Sequence, residues 1–180
     1  YTGQNGVLNY GVDTYRRYNL NAKINFSVSD RWDIRYETRF MKAPRERFNS
    51  ENGPADTGYD LLFRQITRTV PTQATYDPYG NYSMISKIPA IEYRGTDRTE
   101  TTENWQILAT ELRPLKGWKI NADFAYNSLA VDRSNRNFPL TELYSDGRIV
   151  PLASTIPSRI EQIAQNNHYW AANLSATYDC

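Results

Sequence analysis

The chain has 180 residues, of which 39% are hydrophobic, 13% aromatic and 23% charged, and its formal net charge is +1. This near-neutral balance lacks the basic surplus that phosphate neutralisation requires, so we do not expect nucleic-acid binding. The single cysteine, Cys180, and the single histidine, His168, exclude an intrachain disulfide, a cysteine-rich metal cage and a multi-histidine zinc site. No apolar run is long enough for a transmembrane helix.

The first predicted element covers residues 18–29, where polar and apolar side chains alternate without exception. Apolar residues occupy every even position from Tyr18 to Val28, and Asn, Lys or Ser occupies every odd position. Alternation with period 2 is typical of a β-strand that has one apolar face. A helix is a poor alternative, because apolar residues at every second position would cover all of its sides.

The same alternation predicts four more strands, at about 32–40, 104–112, 118–127 and 168–179. The strand at 104–112 is the weakest of them. Trp105, Ile107 and Ala109 share one face, but Glu111 interrupts it. We therefore expect a β-bulge near Thr110 that brings Leu112 to the apolar side.

The connections between these strands differ greatly in length. Residues 29–31 and 114–117 form hairpin-sized turns, whereas the loops at about 41–103 and 128–167 are long. Long loops of this kind are unusual in a compact soluble domain. Short turns at one end and long loops at the other are typical of a transmembrane β-barrel, with periplasmic turns and extracellular loops.

The aromatic residues fall near the two ends of the predicted strands, and mostly aliphatic residues lie between them. Rings at those two levels are typical of the girdles at the membrane interfaces of a barrel. A strand of about 11 residues, rising ~3.3 Å per residue at a tilt of ~40°, spans ~28 Å and can cross an apolar band ~25 Å tall. The predicted interface residues are Tyr18, Trp32, Phe40, Trp105, Trp118, Tyr126, Trp170 and Tyr178.

These patterns predict an all-β fold, namely an antiparallel transmembrane β-barrel segment of five to six strands. The sixth strand would come from the strand-like stretch Tyr1–Val7. Residues 1–180 would form one partial β-barrel domain. A soluble β-sandwich also produces alternating strands and remains an alternative.

Three features lie in the predicted loops. Leu62, Ile66 and Val70 are four residues apart and predict a short amphipathic helix over 60–70, while the sequence of residues 158–161 predicts a capping box that opens a second helix. Residues 76–82 form a turn in which Tyr76, Tyr79 and Tyr82 could stack on a sugar or pack on a peptide, or support the loop itself.

No catalytic constellation and no metal-ligand cluster is evident, and the sequence indicates no enzyme and no cofactor. Charged residues on the strands alternate in sign along Asp33, Arg35, Glu37 and Arg39. We interpret this series as a solvated ladder and not as an acid–base pair, because acidic residues that alternate with Arg are typical of the lining of a wet lumen.

Four segments resemble the barrel of the SusC/RagA family of TonB-linked outer-membrane transporters from Bacteroidota. Gly6–Tyr10 followed by Asp13–Leu20 resembles an external hairpin and its descending strand. Pro71 with Asp77–Tyr82 is similar to a "P…DP-x-G-x-Y" loop, and Ile88–Ile91 with Gly95 to the stretch before the next strand. Leu115–Ile120 resembles the periplasmic "LKGW" turn of the family.

This resemblance implies an outer-membrane importer for a nutrient too large for porins, such as an oligosaccharide or an oligopeptide. Its partners would be a SusD-like surface lipoprotein and, through a part absent from these residues, the TonB complex. Such barrels close with about 22 strands around a plug, and nothing in residues 1–180 resembles the plug domain of the family, so the chain is expected to be a segment of a larger wall with no plug domain present.

In that scheme the even-numbered strand residues face lipid and the odd-numbered ones face the lumen. Tyr76, Tyr79, Tyr82 and Arg94 are the candidate substrate-binding residues, because Tyr offers a stacking surface and Arg a bidentate donor. Two other functions stay open: a soluble β-sandwich that binds glycans, and a passive porin.

Overall fold

The computed structural model describes residues 1–49, 64, 66–68, 70, 72, 74–83, 86, 88–143, 147–151 and 156–179, with the backbone alone at 142 and 143. These residues include eight strands and one short helix that is described from end to end. In chain order the elements are β1 (Thr2–Asn5), β2 (Asp13–Ser29), β3 (Trp32–Phe48), α1 (Ile88–Tyr93), β4 (Thr96–Leu112), β5 (Trp118–Asn137), β6 (Thr141–Leu143), β7 (Ile149–Pro151) and β8 (Arg159–Tyr178).

Six strands form one antiparallel sheet in the order β1-β2-β3-β4-β5-β8, and β6 pairs with β7 in a separate hairpin. The predicted all-β class is confirmed. The sheet is open: within the described residues β8 pairs only with β5, and β1 covers only the loop-side end of β2.

Every predicted strand overlaps a strand of the structure, and the two short turns join β2 to β3 and β4 to β5. In the second turn Gly117 has a φ of +83°, and the amide of Trp118 donates a hydrogen bond to the carbonyl of Leu115 at 3.1 Å. Glycine suits this position because a left-handed backbone brings no Cβ clash there.

The predicted limits of the two long loops are wrong. β3 continues to Phe48 and β4 starts at Thr96, while β5 continues to Asn137 and β8 starts at Arg159. The strands extend because each offers its neighbour an uninterrupted row of hydrogen-bonding partners. The β3–β4 ladder continues as far as Phe48↔Thr96, and the β5–β8 ladder as far as Asn137↔Arg159.

The predicted capping box at residues 158–161 is also wrong, since Arg159, Ile160 and Glu161 belong to β8. Pairing of Ile160 with Arg136 on β5 replaces the helical hydrogen bonds that the local sequence favours. Most of the helix predicted over 60–70 lies outside the described residues. Within it, Arg64, Ile66 and Thr67 are helical.

The buried apolar core of the described residues is small and lies at the loop end of the sheet. Phe48 contacts Ile91 of α1 there, and Leu8 and Ile66 pack against this pair. The five long strands form one layer, and Leu20, Ile24 and Leu174 are exposed on it. These residues do not converge between two sheets, as a β-sandwich core would require.

Candidate functional site

The ladders show which side chains share a face of the sheet, because directly paired residues point to the same side. The pairs Ile24↔Tyr36, Tyr36↔Leu108 and Leu108↔Phe124 place apolar even-numbered residues together. We call this side the apolar face and the opposite, odd-numbered side the polar face. The apolar face carries Tyr18, Leu20, Ala22, Ile24, Phe26, Trp32, Ile34, Tyr36, Phe40, Leu108, Leu112, Trp118, Ile120, Ala122, Phe124, Tyr126, Trp170, Ala172, Leu174, Ala176 and Tyr178.

Large side chains on the apolar face are open to the surroundings. Leu174 is 78% exposed and Trp170 is 70% exposed, although both would be buried in an ordinary protein core. Large apolar side chains exposed together on one face mark a site of contact with another apolar phase.

Seven of the eight predicted interface aromatics lie on the apolar face and form two rows. Trp32, Trp118 and Tyr178 lie at the turn end, where the rings of Trp118 and Tyr178 are 5.4 Å apart. The loop-end row consists of Tyr18, Phe40, Tyr126 and Trp170.

Polar groups accompany the rings of both rows. At the loop end, Tyr126 stacks on His168 with ring centroids 6.1 Å apart, and its hydroxyl and His168 Nδ1 share a hydrogen bond of 2.9 Å. At the turn end, Trp32 Nε1 donates a hydrogen bond to Thr110 Oγ1 at 2.8 Å. Rings with one polar atom satisfied suit a boundary between an apolar and a wet region.

Both rows cross the hydrogen-bonded ladder obliquely and in the same sense. The line of directly paired residues that starts at Tyr18 crosses the sheet and reaches β8 at Asn166. Trp170, the member of the loop-end row on β8, lies four residues nearer the turns than Asn166. The ladder that starts at Trp32 reaches β8 at Ala176, and Tyr178 lies two residues further in the same direction. The strands are therefore inclined to the direction that separates the two rows.

The eighth predicted interface residue, Trp105, lies on the polar face, so its predicted orientation is wrong. No register shift occurs between Trp32↔Leu112 and Phe48↔Thr96, and the expected bulge near Thr110 is absent. Without that bulge, Trp105 pairs with Arg39 and Asn127. Leu108 and Leu112, at even positions, are the signal in the sequence that indicates this register.

Several polar side chains on the apolar face hydrogen-bond to one another. The amide nitrogen of Gln106 donates hydrogen bonds to Thr38 Oγ1 at 3.0 Å and to Asn104 Oδ1 at 2.7 Å. The amide oxygen of Gln106 accepts a hydrogen bond from the hydroxyl of Tyr36. Thr110 Oγ1 also donates to the carbonyl of Asp33 at 3.1 Å. These pairings satisfy the groups without water, which lowers the cost of an apolar environment.

The turn end of the polar face is rich in ion pairs. Lys119 Nζ lies 2.8 Å from a carboxylate oxygen of Glu111, and Arg113 contacts both Glu111 at 2.5 Å and Asp33 at 3.3 Å. A depression of about 330 Å³ lies beside them, with Ala109 among the residues that line it. Because these groups are partly exposed, each pair stabilises the fold only modestly.

The loop end of the polar face contains a buried polar network that the alternation pattern does not predict. Asp97, 4% exposed, accepts hydrogen bonds from Arg133 Nε at 2.9 Å and Arg133 Nη2 at 3.0 Å, and lies 3.6 Å from Arg47 Nε. Asn49 Nδ2 donates to Asn135 Oδ1 at 2.7 Å and to the carbonyl of Arg136 at 2.9 Å. These contacts join β3, β4 and β5 at the base of the loops.

Arg94, a candidate substrate-binding residue, belongs to the base of the loops. Its side chain is 1% exposed, and its Nε donates to Asn137 Oδ1 at 2.9 Å. Its carbonyl accepts a hydrogen bond from the amide of Phe138 at 2.6 Å. This geometry favours a supporting role for Arg94 under the loops.

The structure brings two of the three candidate tyrosines together. Tyr76 stacks on Tyr82 with ring centroids 5.0 Å apart, and their backbones form an antiparallel bridge. Tyr93 of α1 approaches Tyr82 edge-on at 6.4 Å, while Tyr79 is exposed at the tip of the turn.

Hydrogen bonds hold both ends of this loop. Asp77 Oδ1 accepts from the amides of Asn81 at 2.8 Å and Tyr79 at 2.9 Å, and the bond from Asn81 is the main cause that lowers the pKa of Asp77. The hydroxyl of Tyr82 donates a hydrogen bond to Glu92 Oε2 at 2.9 Å, and burial together with this bond raises the pKa of Tyr82. Tyr82 therefore remains a protonated donor at and above neutral pH.

Within the described part of the chain, no helix is long and apolar enough to cross a membrane. The same residues contain no group of three or more His, Cys, Asp or Glu side chains that could hold a metal ion. The fold and its surfaces define an all-β chain whose open antiparallel sheet has one apolar and one polar face. No protein-family model and no curated protein matches the chain.

Proposed function

We propose that the sheet is part of the wall of a transmembrane β-barrel in the outer membrane, with the apolar face against lipid. The observation that carries this proposal is the pair of aromatic rows that bound an exposed apolar face and cross the ladder obliquely. Among the strands that the structure describes, β8 has a partner on one edge alone, and its other edge would pair with a further strand as the wall continues towards closure.

The oblique course of the loop-end row matches the tilt of strands in such barrels, and the turn-end row is inclined in the same sense at a smaller angle. The loop-end row is displaced by about one residue at each step from one strand to the next. A displacement of ~3.3 Å along the strand over a strand spacing of ~4.8 Å corresponds to a tilt of ~35°. The turn-end row gives ~25° by the same geometry, and known transmembrane barrels have strand tilts of ~35–45°. A flat interface with strands perpendicular to it would leave both rows parallel to the ladder.

The barrel is proposed to import a nutrient too large for porins, an oligosaccharide or an oligopeptide, with energy supplied through the TonB complex. The segments that resemble the SusC/RagA family support this function over that of a passive porin. A SusD-like lipoprotein would cover the mouth, where Tyr76 and Tyr79 offer exposed rings to the substrate.

Tryptophan quenching tests the orientation of the sheet. In variants of the full-length protein that keep one Trp of this chain, reconstituted in vesicles with brominated acyl chains, we expect strong quenching of Trp32, Trp118 and Trp170. Trp105, on the polar face, is the matched control and should be affected far less. Equal quenching at Trp105 and Trp170 would contradict a lipid-facing apolar face.

Conductance across a planar bilayer separates the importer from the alternative functions. A passive porin gives stable open-channel steps, whereas an importer whose lumen is plugged gives none until it is energised. A soluble glycan-binding module would stay monomeric in detergent-free buffer and would not enter the bilayer.

A further inference from the structure

An aromatic pair lies on the polar face, at the level of the loop-end aromatic row. Trp105 on β4 and Tyr169 on β8 flank Asn127 of β5 in one ladder row. Their rings meet edge to face with centroids 6.3 Å apart, and Tyr169 is 56% exposed. Trp105 is half-buried, so the pair offers one exposed ring and one partly exposed ring as a local apolar surface on an otherwise polar wall.

Polar groups are fixed beside these rings. Glu103 Oε1 accepts hydrogen bonds from Trp105 Nε1 at 2.8 Å and from Asn127 Nδ2 at 3.2 Å. The other oxygen, Oε2, accepts none from the part of the chain that the structure describes. A carboxylate held in place on one side therefore has a second oxygen ready to accept.

The local charges disfavour an anionic ligand. Arg39, the neighbour of Trp105 in the ladder, is already paired with Glu37 at 2.5 Å, and among the described residues no cation forms an ion pair with Glu103. The complementary ligand carries hydroxyl donors, has no negative charge and presents an apolar flat side to the rings.

We propose that Trp105, Tyr169 and Glu103 form a binding subsite for a neutral saccharide. The C–H face of a pyranose packs on the aromatic pair, and one of its hydroxyls donates to Glu103 Oε2. The inference rests on the proposed function, since the polar face must line an aqueous lumen for a saccharide to reach it. It selects the saccharide from the two substrate classes left open above.

Calorimetric titration of the full-length protein in nanodiscs tests the subsite, with maltohexaose, cellohexaose and xylohexaose as probes. We expect saturable binding of at least one hexasaccharide and a loss of about tenfold in affinity for Trp105→Ala. Trp105→Phe keeps a ring and should retain most of the affinity, and Glu103→Gln should weaken binding at least threefold.

Tyr126→Ala is the matched control, because Tyr126 neighbours Asn127 on the opposite, apolar face. Binding should change less than twofold in this variant. Absence of binding by all three probes, or equal losses in Trp105→Ala and Tyr126→Ala, would overturn the saccharide subsite. Quenching of Trp170 by brominated lipid reports on the barrel separately, so failure of the subsite and failure of the proposed function are distinguishable.

Discussion

Asp97 and Arg133 form a bidentate ion pair across β4 and β5, with hydrogen bonds of 2.9 and 3.0 Å to the two carboxylate oxygens. Arg47 on β3 approaches the same carboxylate from the other side, at 3.6 Å. One acidic residue thus joins three neighbouring strands at the point where the sheet gives way to the loops.

Replacement of Asp97 by Ala should be strongly destabilising. Arg47 and Arg133 would lose their shared carboxylate while their side chains stay 10% and 25% exposed, and breaking a buried pair on one side costs about 3 kcal/mol. Urea titration of the refolded protein measures this change in the free energy of unfolding. The control is Arg98→Ala, whose exposed pairing with Glu100 at 3.6 Å contributes about 0.5 kcal/mol or less. Similar losses in the two variants would contradict the role of Asp97.

Arginine substitutions at the neighbours Ala171 and Ala172 test the two faces of β8. Ala172 is exposed on the apolar face, and Ala171 is half-buried on the polar face opposite Ala125. In water the exposed site would tolerate Arg better, but against lipid Ala172→Arg should cost about 2–4 kcal/mol. Ala171→Arg should cost about 1 kcal/mol or less, because the long side chain can reach the aqueous interior. Unfolding from lipid vesicles by urea gives both values, and the reverse order would argue against a lipid-facing apolar face.

Two glycines with the same backbone conformation should respond differently to Ala. Gly80 and Gly117 have φ values of +85° and +83°, and a left-handed backbone costs Ala about 1 kcal/mol. A Cβ at Gly80 meets nothing within 4 Å, whereas one at Gly117 would lie 2.5 Å from the carbonyl oxygen of Asp179. Gly117→Ala should therefore lower the unfolding free energy clearly more than Gly80→Ala, as thermal or urea unfolding would show. Equal effects would mean that the β4–β5 turn and the end of β8 are not in contact.

The loop at Tyr76–Tyr82 should lose order at acidic pH. Because the hydrogen bond from the Asn81 amide lowers the pKa of Asp77 below its ordinary value of 3.8, the carboxylate supports the loop fully above that value. This support is lost as the pH falls through the lower pKa of the folded protein. The Asn81 amide resonance, followed by NMR between pH 6 and 2, should report a midpoint below 3.8. Asp77→Asn should abolish the transition, and a transition that persists in this variant would assign it to another group.

The sequence by itself determined the strands and the faces of β2, β3, β5 and β8. Alternation is a local property. When twelve consecutive residues follow it, all of their apolar side chains must lie on the same face of the strand. The short turns followed from the same pattern, because they lie where the alternation stops. The positions of seven interface aromatics were predictable for this reason.

Only the tertiary structure decided the orientation of β4, the length of the strands and the place of Arg94. Both faces of β4 carry apolar residues, so its local pattern admits two orientations, and the register with β3 and β5 selects the one that turns Trp105 to the polar face. Likewise, residues 159–161 resemble a helix start, yet the ladder of β5 supplies the hydrogen bonds that make them a strand. These outcomes depend on partners distant in the chain, because a strand's hydrogen bonds and neighbours come from other strands.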